Sequence, residues 1–239
     1  MAAFYPILDC DLARSRGHDP LRLAAEIAGL GLPWLQLRAK TLPAGEFLEL
    51  AERMQAALAE RGGRTRLIVN DRADIAALSH AAGLHLGQDD LPLAAARRLL
   101  PPAALIGFST HNPSQIRAAL AQDAALAGAA DPIDDRVDDR AAAAPPSLRA
   151  LAYLAFGPVF PTATKSNPDP VTSLEGLRQA RALFRGPLVA IGGIGRENCR
   201  AAAAAGADYV AVISAWLSAG DPLAETRAFL LALAESPVA

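Results

Sequence analysis

Residues 66–90 read RLIVNDRADIAALSHAAGLHLGQDD, and this stretch indicates how the rest of the chain folds. Two short apolar runs, 66–70 and 83–86, enclose a longer alanine-rich segment at 73–82. The runs show no clean alternation of polar and apolar residues, which is typical of parallel strands that are buried on both faces. The stretch therefore predicts a strand–helix–strand unit in which polar residues follow each strand directly.

The same alternation continues in both directions along the chain. Eight apolar runs are predicted as strands, at residues 4–8, 34–38, 66–70, 83–86, 105–109, 151–157, 188–192 and 209–213. Eight further stretches are predicted as helices, at residues 20–31, 43–61, 73–82, 92–100, 113–127, 174–184, 197–205 and 222–234. Eight strand–helix units in 239 residues predict an α/β fold, a single (β/α)8 TIM-barrel domain over residues 1–239. A doubly wound open sheet is the alternative arrangement of the same elements.

One segment, residues 123–149, interrupts this alternation between the fifth predicted helix and the sixth predicted strand. It contains the acidic run DPIDDRVDDR at 131–140, followed by alanines and two prolines. Connections of this length are uncommon in compact domains and are usually functional or disordered. The composition predicts a solvated surface insertion within the barrel, and a lid or a docking loop is the alternative.

The charge and composition of the chain exclude several classes of function. With 23 basic and 25 acidic residues the formal net charge is -2, and aromatic residues make up 5%, so we expect no binding to nucleic acid. The apolar runs are too short to span a membrane, and the first residues lack the pattern of a signal peptide. We therefore expect a cytoplasmic protein that acts on small molecules and contacts no membrane, and the sequence is compatible with a homo-oligomer. Cys10 and Cys199 lie far apart without metal-ligand spacing and are expected to be free thiols.

Polar residues that follow the predicted strands are the candidates for an active site, because a TIM barrel carries its site at the carboxyl ends of its strands. Gln36, Arg38 and Lys40 alternate at the end of the second strand and therefore project from one face. Two cations beside an amide suit a polyanion such as diphosphate. We expect this group to form one wall of an anion site.

Carboxylates follow the third and the fourth predicted strands. Asp71 comes directly after the third, and Asp89 and Asp90 follow the fourth. Carboxylates at neighbouring strand ends can share one Mg²⁺, an ion usually held by one or two carboxylates together with substrate phosphates. A helix N-cap is the alternative role for Asp71 and for Asp90.

Small and hydroxyl-bearing residues follow the later strands. Gly192 ends the seventh strand, Gly193 follows it, and Ser214 follows the eighth, where backbone amides can approach a phosphate. Ser109 ends the fifth strand and His111 follows it, as further hydrogen-bonding groups. We infer a second, backbone-lined anion site at the barrel mouth. The loop after the sixth strand adds the polar residues Thr162, Thr164 and Lys165.

Taken in chain order, these motifs resemble those of the thiamine-phosphate synthase family. The resemblance covers nearly the whole chain outside residues 123–149, and its segments are QLRAK (36–40), NDR (70–72), HLGQDD (85–90), GFSTH (107–111), GPVFPTATK (157–165), IGGI (191–194) and VISA (212–215). It implies a transferase that joins hydroxymethylpyrimidine diphosphate to thiazole phosphate, giving thiamine phosphate and diphosphate, with Mg²⁺ as cofactor. It further implies a dissociative course, in which diphosphate leaves first and the thiazole nitrogen then captures the pyrimidine cation.

The resemblance also assigns roles to individual residues. Those implied to bind the departing diphosphate are Arg38, Lys40, Asn70, Ser109 and Lys165, and all but Asn70 of these are implied to be catalytic. Those implied to bind the thiazole phosphate are Thr162, Thr164, Gly193, Ile213 and Ser214. Gln36 is implied to position the pyrimidine. Asp71 and Asp90, in preference to Asp89, are implied to bind Mg²⁺.

Two other functions share parts of this pattern. A thiazole tautomerase branch has the same fold but typically lacks the acidic pair and has a changed loop after the sixth strand. This chain keeps Asp71, Asp90 and the PTATK segment at 161–165. A non-catalytic sensor of a phosphate ester would need the anion site after the seventh and eighth strands but not the acidic pair.

Overall fold

In the computed structural model of the chain, which describes residues 2–62, 64–128, 150–162 and 170–234, eight parallel strands close into one barrel in chain order. The strands are β1 Ala3–Asp9, β2 Trp34–Arg38, β3 Arg66–Asn70, β4 Gly83–Leu86, β5 Leu105–Thr110, β6 Tyr153–Phe156, β7 Leu188–Ile191 and β8 Tyr209–Val212. The predicted TIM barrel is confirmed. The open-sheet alternative is wrong, because β1 pairs with β8 as well as with β2.

Ten helices lie outside the barrel in the described part of the chain. They are α1 Cys10–Ser15, α2 Pro20–Ala28, α3 Ala44–Glu60, α4 Ala73–Leu78, α5 Leu93–Leu99, α6 Pro113–Gly128, α7 Ser173–Leu183, α8 Cys199–Ala204, α9 Ser214–Leu217 and α10 Pro222–Ala234. All eight predicted helices are present. The sequence analysis missed α1 and α9, because helices of six and four residues are too short to show a helical period.

Pairing of β1 with β8 closes the barrel. Ala3 of β1 lies in register with Tyr209 of β8, and on the other edge of β1 Ile7 lies in register with Gln36 of β2. All strands run in the same direction, so their carboxyl ends meet at one rim. The polar residues that follow the strands in sequence are therefore brought together in space.

The main apolar layer lies between the outer face of the barrel and the helices. Phe4 of β1 stacks on Phe229 of α10 with ring centroids 4.6 Å apart, and Trp216 packs edge-on against Phe4 at 6.4 Å. The indole Nε1 of Trp216 donates hydrogen bonds to Thr226 Oγ1 and to the carbonyl oxygen of Pro222, both at 2.9 Å. These contacts attach α9 and α10 to the strand that closes the barrel.

Aromatic side chains fill the lower part of the barrel interior. Trp34 of β2 lies between two tyrosine rings, stacking on Tyr209 at 4.0 Å and on Tyr153 at 4.8 Å. Tyr5 packs edge-on against Trp34 at 5.4 Å. The barrel is therefore a packed core at this level and opens only above it, towards the carboxyl rim.

The predicted insertion begins inside a helix. Residues 123–128 form the last turns of α6, and residues 129–149 lie outside the described residues. The buried Asp123 accepts a hydrogen bond at 2.8 Å from the backbone nitrogen of Leu151, just before β6. This contact joins the end of α6 to the approach of the next strand.

Both cysteines are buried free thiols, as expected. Burial raises the pKa of Cys10 to about 12 and also raises the pKa of Cys199, so neither is a reactive thiolate at neutral pH. Within the described residues, no helix combines the length and the apolar character that crossing a membrane requires.

Replacing Phe229 with alanine should lower the free energy of unfolding by about 3–5 kcal/mol, because the change opens a cavity beneath Phe4. Urea unfolding followed by circular dichroism measures this loss. Leu231→Ala on the same helix is the matched control, since Leu231 is 68% exposed and its loss should change stability by no more than about 0.5 kcal/mol. Equal losses in the two variants would contradict the assignment of Phe229 to the core.

Candidate active site

A cavity of about 550 Å³ opens at the carboxyl rim of the barrel. It lies where the fold brings the strand ends together. The predicted site residues that line it are Gln36, Arg38, Lys40, Asn70, Asp71, Asp90, Ser109, Thr162, Gly193, Ile213 and Ser214. Thr164 and Lys165 lie outside the described residues. Gln36, Arg38 and Lys40, which were predicted to project from one face, all line this cavity.

The first wall of the cavity is basic, and a carboxylate that the sequence analysis missed holds one of its cations. Asp9, the last residue of β1, lies in register with Arg38 at the end of β2 and forms an ion pair with it. The other oxygen of Asp9 caps α1 by accepting a hydrogen bond at 2.9 Å from Leu12 N. One buried carboxylate therefore fixes both the guanidinium and the helix that follows β1. The register of β1 against β2 is the signal that could have revealed the role of Asp9.

The second cation, Lys40, forms an ion pair with Asp71 at the end of β3. Asp71 has a φ of 63°, in the left-handed region that aspartate adopts more readily than most residues. Its backbone nitrogen donates a hydrogen bond at 2.8 Å to the carbonyl oxygen of His85 on β4. The strained backbone thus keeps the strand pairing while the carboxylate points to the cavity.

Asp90 stands beside Asp71 and is only partly exposed. It accepts a hydrogen bond at 2.7 Å from Gly87 N. Burial raises the pKa of the Asp90 carboxyl, and the nearby Asp71 carboxylate raises it further, while the bond from Gly87 N lowers it. Asp89 is exposed, which favours Asp90 as the second acidic residue of the site.

Helix capping does not explain either carboxylate. The N-cap positions of α4 and α5 are Arg72 and Pro92, so the N-cap alternative for Asp71 and Asp90 is wrong. No group of three or more His, Cys, Asp or Glu side chains suited to a metal occurs among the described residues. Two adjacent carboxylates that repel each other, with open cavity beside them, suit Mg²⁺ better than Zn²⁺, since Mg²⁺ takes its other oxygen ligands from water and phosphate.

The floor of the cavity is a chain of hydrogen bonds, called the floor relay below, that runs through Gln36, Tyr5, Tyr153, His85 and Ser109. Gln36 Nε2 donates to Tyr5 Oη at 3.0 Å, and Tyr5 Oη bonds to Tyr153 Oη at 3.0 Å. His85 joins Tyr153 Oη through Nδ1 at 3.0 Å and Ser109 Oγ through Nε2 at 2.9 Å. The relay connects the ends of β2 and β5 beneath the cavity. Sequence reasoning missed its two tyrosines, because each lies in an apolar run.

The wall opposite the acidic pair is made of backbone. In a closed barrel of eight strands, β7 and β8 lie across from β3 and β4. Gly193 has a φ of 64°, and a Cβ on it would stand 2.3 Å from the carbonyl oxygen of Pro161. The loops after β6 and β7 therefore interlock at a distance that only glycine allows.

The loop after β8 completes this wall. Ile213 is the N-cap of the short helix α9, and Ser214 is its first residue. Loops after the seventh and eighth strands, with a short extra helix, form the recurrent phosphate site of TIM barrels. The positions of Gly193 and Ser214 in this cavity match that arrangement.

Comparison with known proteins identifies close relatives over almost the whole chain. The profile of the family described as thiamine monophosphate synthase matches residues 4–132 and 136–216. The thiamine-phosphate synthase of Koribacter versatilis is 39% identical over 231 residues, which cover 95% of this chain and 93% of that protein. That of Anaeromyxobacter dehalogenans is 39% identical over 206 residues, covering 86% of this chain and 79% of that protein.

Solved structures show the same fold. Thiamine phosphate pyrophosphorylase from Pyrococcus furiosus superimposes with a TM-score of 0.75 at 26% identity, covering 97% of this chain and 95% of that one. A 3-hexulose-6-phosphate synthase matches with a TM-score of 0.63 at 17% identity, covering 97% of this chain and 100% of that one, and shows the fold alone.

Asp90→Asn should stabilise the metal-free protein at neutral pH. The pKa of Asp90 is higher in the folded protein than in the unfolded chain, so ionising Asp90 lowers the stability of the fold. This loss of stability is absent at a pH below the pKa of the unfolded chain and is complete at a pH above the pKa of the folded protein. The amide of Asn keeps an acceptor for Gly87 N. Urea unfolding in metal-free buffer should show a gain at neutral pH that shrinks at acidic pH. Asp89→Asn, at an exposed position, should show no gain that depends on pH. A gain of equal size there would contradict the conclusion that burial and Asp71 destabilise the ionised Asp90.

Proposed function

This chain belongs to the thiamine monophosphate synthase family and is a transferase of the thiamine-phosphate synthase type, and we propose that its cavity joins hydroxymethylpyrimidine diphosphate to thiazole phosphate. In the proposed reaction the carbon–oxygen bond to diphosphate breaks first, and both of its electrons leave with the diphosphate. The lone pair of the thiazole nitrogen then forms the new carbon–nitrogen bond. That nitrogen carries no proton to lose, so the step needs no general base.

The basic wall is proposed to bind the departing diphosphate. Arg38 and Lys40 supply charge-assisted hydrogen bonds, and Asn70 and Ser109 line the same part of the cavity. Asp9 fixes the guanidinium of Arg38 before the substrate arrives. Preorganised charges of this kind stabilise a leaving anion without reorganising during the reaction. Lys165 is proposed to join them from the loop after β6, on the resemblance stated above.

Asp71 and Asp90 are proposed to hold Mg²⁺ beside this wall. Bound there, Mg²⁺ would supply Lewis-acid stabilisation of the charge that builds up on diphosphate. The chain supports this role in two ways. The left-handed backbone of Asp71 directs its carboxylate into the cavity, and the mutual repulsion of the two carboxylates is relieved by a divalent cation.

The two organic groups are proposed to lie between the walls. Gln36 donates a hydrogen bond from its amide nitrogen to Tyr5 Oη, so its amide oxygen is the atom that can accept one from the amino group of the pyrimidine. Gly193, Ile213 and Ser214 are proposed to bind the phosphate of the thiazole, with Thr162 beside them and Thr164 assigned by the resemblance. Holding both substrates in one cavity turns the capture of the cation into a step within a single complex.

One observation carries the proposal: a single cavity joins a wall of paired cations and carboxylates to a backbone wall suited to a phosphate monoester, across the barrel from each other. A thiazole tautomerase or a phosphate-ester sensor needs only the second wall. Both walls are needed to bring a diphosphate and a phosphate ester together.

Product formation from the two substrates, with Mg²⁺ and with a chelator, tests the proposed function. Coupling should require Mg²⁺, and Asp71→Asn or Asp90→Asn should lower turnover by about 100-fold or more while the fold survives. Asp74→Asn is the matched control, because Asp74 in the first turn of α4 forms an exposed ion pair with Arg72, the N-cap residue. Coupling that persists in the chelator would overturn the metal role, and no coupling at all would favour the tautomerase or the sensor.

The division into two walls predicts two separate losses of affinity. Arg38→Met should raise KM for the pyrimidine diphosphate about 10-fold and leave KM for thiazole phosphate unchanged, because it removes a charged hydrogen bond. Gly193→Ala should do the reverse, since its Cβ collides with the loop after β6. Gly45→Ala, where a Cβ meets nothing within 4 Å, is the control for the glycine change. Equal changes in both KM values would contradict the division.

A further inference from the structure

We infer that Tyr153 is a positioning residue for diphosphate departure, which acts by aligning the hydroxyl of Ser109 as a hydrogen-bond donor into the cavity. The inference rests on the proposed function, in which Ser109 contacts the diphosphate. Tyr153 does not itself line the cavity. It lies in the middle of the floor relay, with Tyr5 Oη on one side and His85 Nδ1 on the other.

The orientation of the Gln36 amide gives the relay its direction. With its nitrogen facing Tyr5, Gln36 donates to Tyr5 Oη, and the proton of Tyr5 goes to Tyr153. Tyr153 then donates its single proton to His85 Nδ1. His85 as the neutral ring carries its proton on Nε2 and donates it to Ser109 Oγ. The proton of Ser109 is the end of the chain and points to the cavity that the side chain lines.

The opposite direction requires the Gln36 amide to be turned so that its oxygen accepts from Tyr5, and His85 to carry its proton on Nδ1. Ser109 would then donate to His85 Nε2 instead of into the cavity, and Tyr153→Phe would not weaken diphosphate binding through it. Burial also raises the pKa of both phenols, so both keep the protons that the relay requires.

The surrounding structure keeps the Tyr153 hydroxyl in place. The ring stacks on Trp34 at 4.8 Å and on His85 at 5.5 Å. A Cβ on Gly107 would stand 2.0 Å from Cζ of Tyr153 and 2.4 Å from its Oη, so the strand next to Tyr153 has glycine where the phenol crosses it. The position of this hydroxyl is therefore set by packing, independently of any ligand.

The consequence is that the Ser109 hydroxyl is a polarised hydrogen-bond donor at the point where negative charge builds up on the departing diphosphate. A hydroxyl that accepts one hydrogen bond becomes a stronger donor in the next, and the effect accumulates along a chain in a low-dielectric interior. A Ser109 hydroxyl that was free to rotate would have to be aligned by the diphosphate itself. The relay supplies that alignment before the substrate binds.

A double-mutant cycle on Tyr153 and Ser109 tests the inference. The ligand is inorganic diphosphate with excess Mg²⁺, and its Kd is measured by titration calorimetry for the wild type, Tyr153→Phe, Ser109→Ala and the double variant. Tyr153→Phe keeps the ring stacking and removes only the hydroxyl. We expect it to raise Kd about 3- to 10-fold in the wild-type background and to have no further effect once Ser109 is alanine.

Tyr209→Phe is the matched control, because Tyr209 stacks on the other face of Trp34 and takes no part in the relay. It should leave Kd unchanged. An equal factor for Tyr153→Phe with and without Ser109 would overturn the inference, since the tyrosine would then act through the fold. If Tyr153→Phe fails to fold, His85→Phe removes the donor to Ser109 Oγ directly and must show the same dependence on Ser109.

The same cycle separates this inference from the proposed function. If Ser109→Ala leaves Kd unchanged, diphosphate does not lie against Ser109, and both the placement and the inference are wrong. If Ser109→Ala weakens binding and Tyr153→Phe does not, the placement stands and only the relay is overturned. Thermal unfolding of each variant confirms that the compared proteins are folded.

Discussion

The register of neighbouring parallel strands in the closed barrel is the constraint on which the site depends. Because β1 pairs with both β2 and β8, every strand end is fixed relative to the next around the rim. Asp9 meets Arg38 because these residues lie opposite each other in adjacent strands. The carbonyl of His85 on β4 holds Asp71 at the end of β3 for the same reason, two strand pairs further on. A shift of one residue would turn these side chains away from the cavity and into the layer beneath the helices.

The barrel interior changes from apolar to polar within one layer of side chains. Trp34 and Tyr209 fill its lower part by stacking, and the hydroxyls of Tyr5 and Tyr153 belong to the floor relay above them. A tyrosine suits this boundary, because its ring packs as a hydrophobic group and its hydroxyl needs a hydrogen-bond partner. The relay supplies those partners, so the floor of the cavity is buried without leaving its hydroxyls unsatisfied.

The strands were predictable because burial on both faces makes each one a short continuous apolar run, and Arg38 and Asp71 were predictable because they end or directly follow such runs. Asp9 also follows its run directly, but its role depends on the register that places it opposite Arg38, which the sequence of a single strand does not record. Tyr153 was missed for a different reason: its role depends on Tyr5, 148 residues away, and no local pattern records such a partner. The N-cap alternative for Asp71 failed because its left-handed backbone places Arg72 at the start of the helix instead.

The balance of charge at the mouth determines how a diphosphate can enter. Arg38 and Lys40 are each paired with a carboxylate, and Asp89 and Asp90 add two more negative groups, so carboxylates outnumber cations among these six rim residues. A mouth without excess positive charge offers little long-range attraction to a bare diphosphate, which carries several negative charges. Under the function proposed above, the diphosphate substrate would therefore enter with its charge already reduced by Mg²⁺, and the acidic pair would recognise the complex rather than the anion alone.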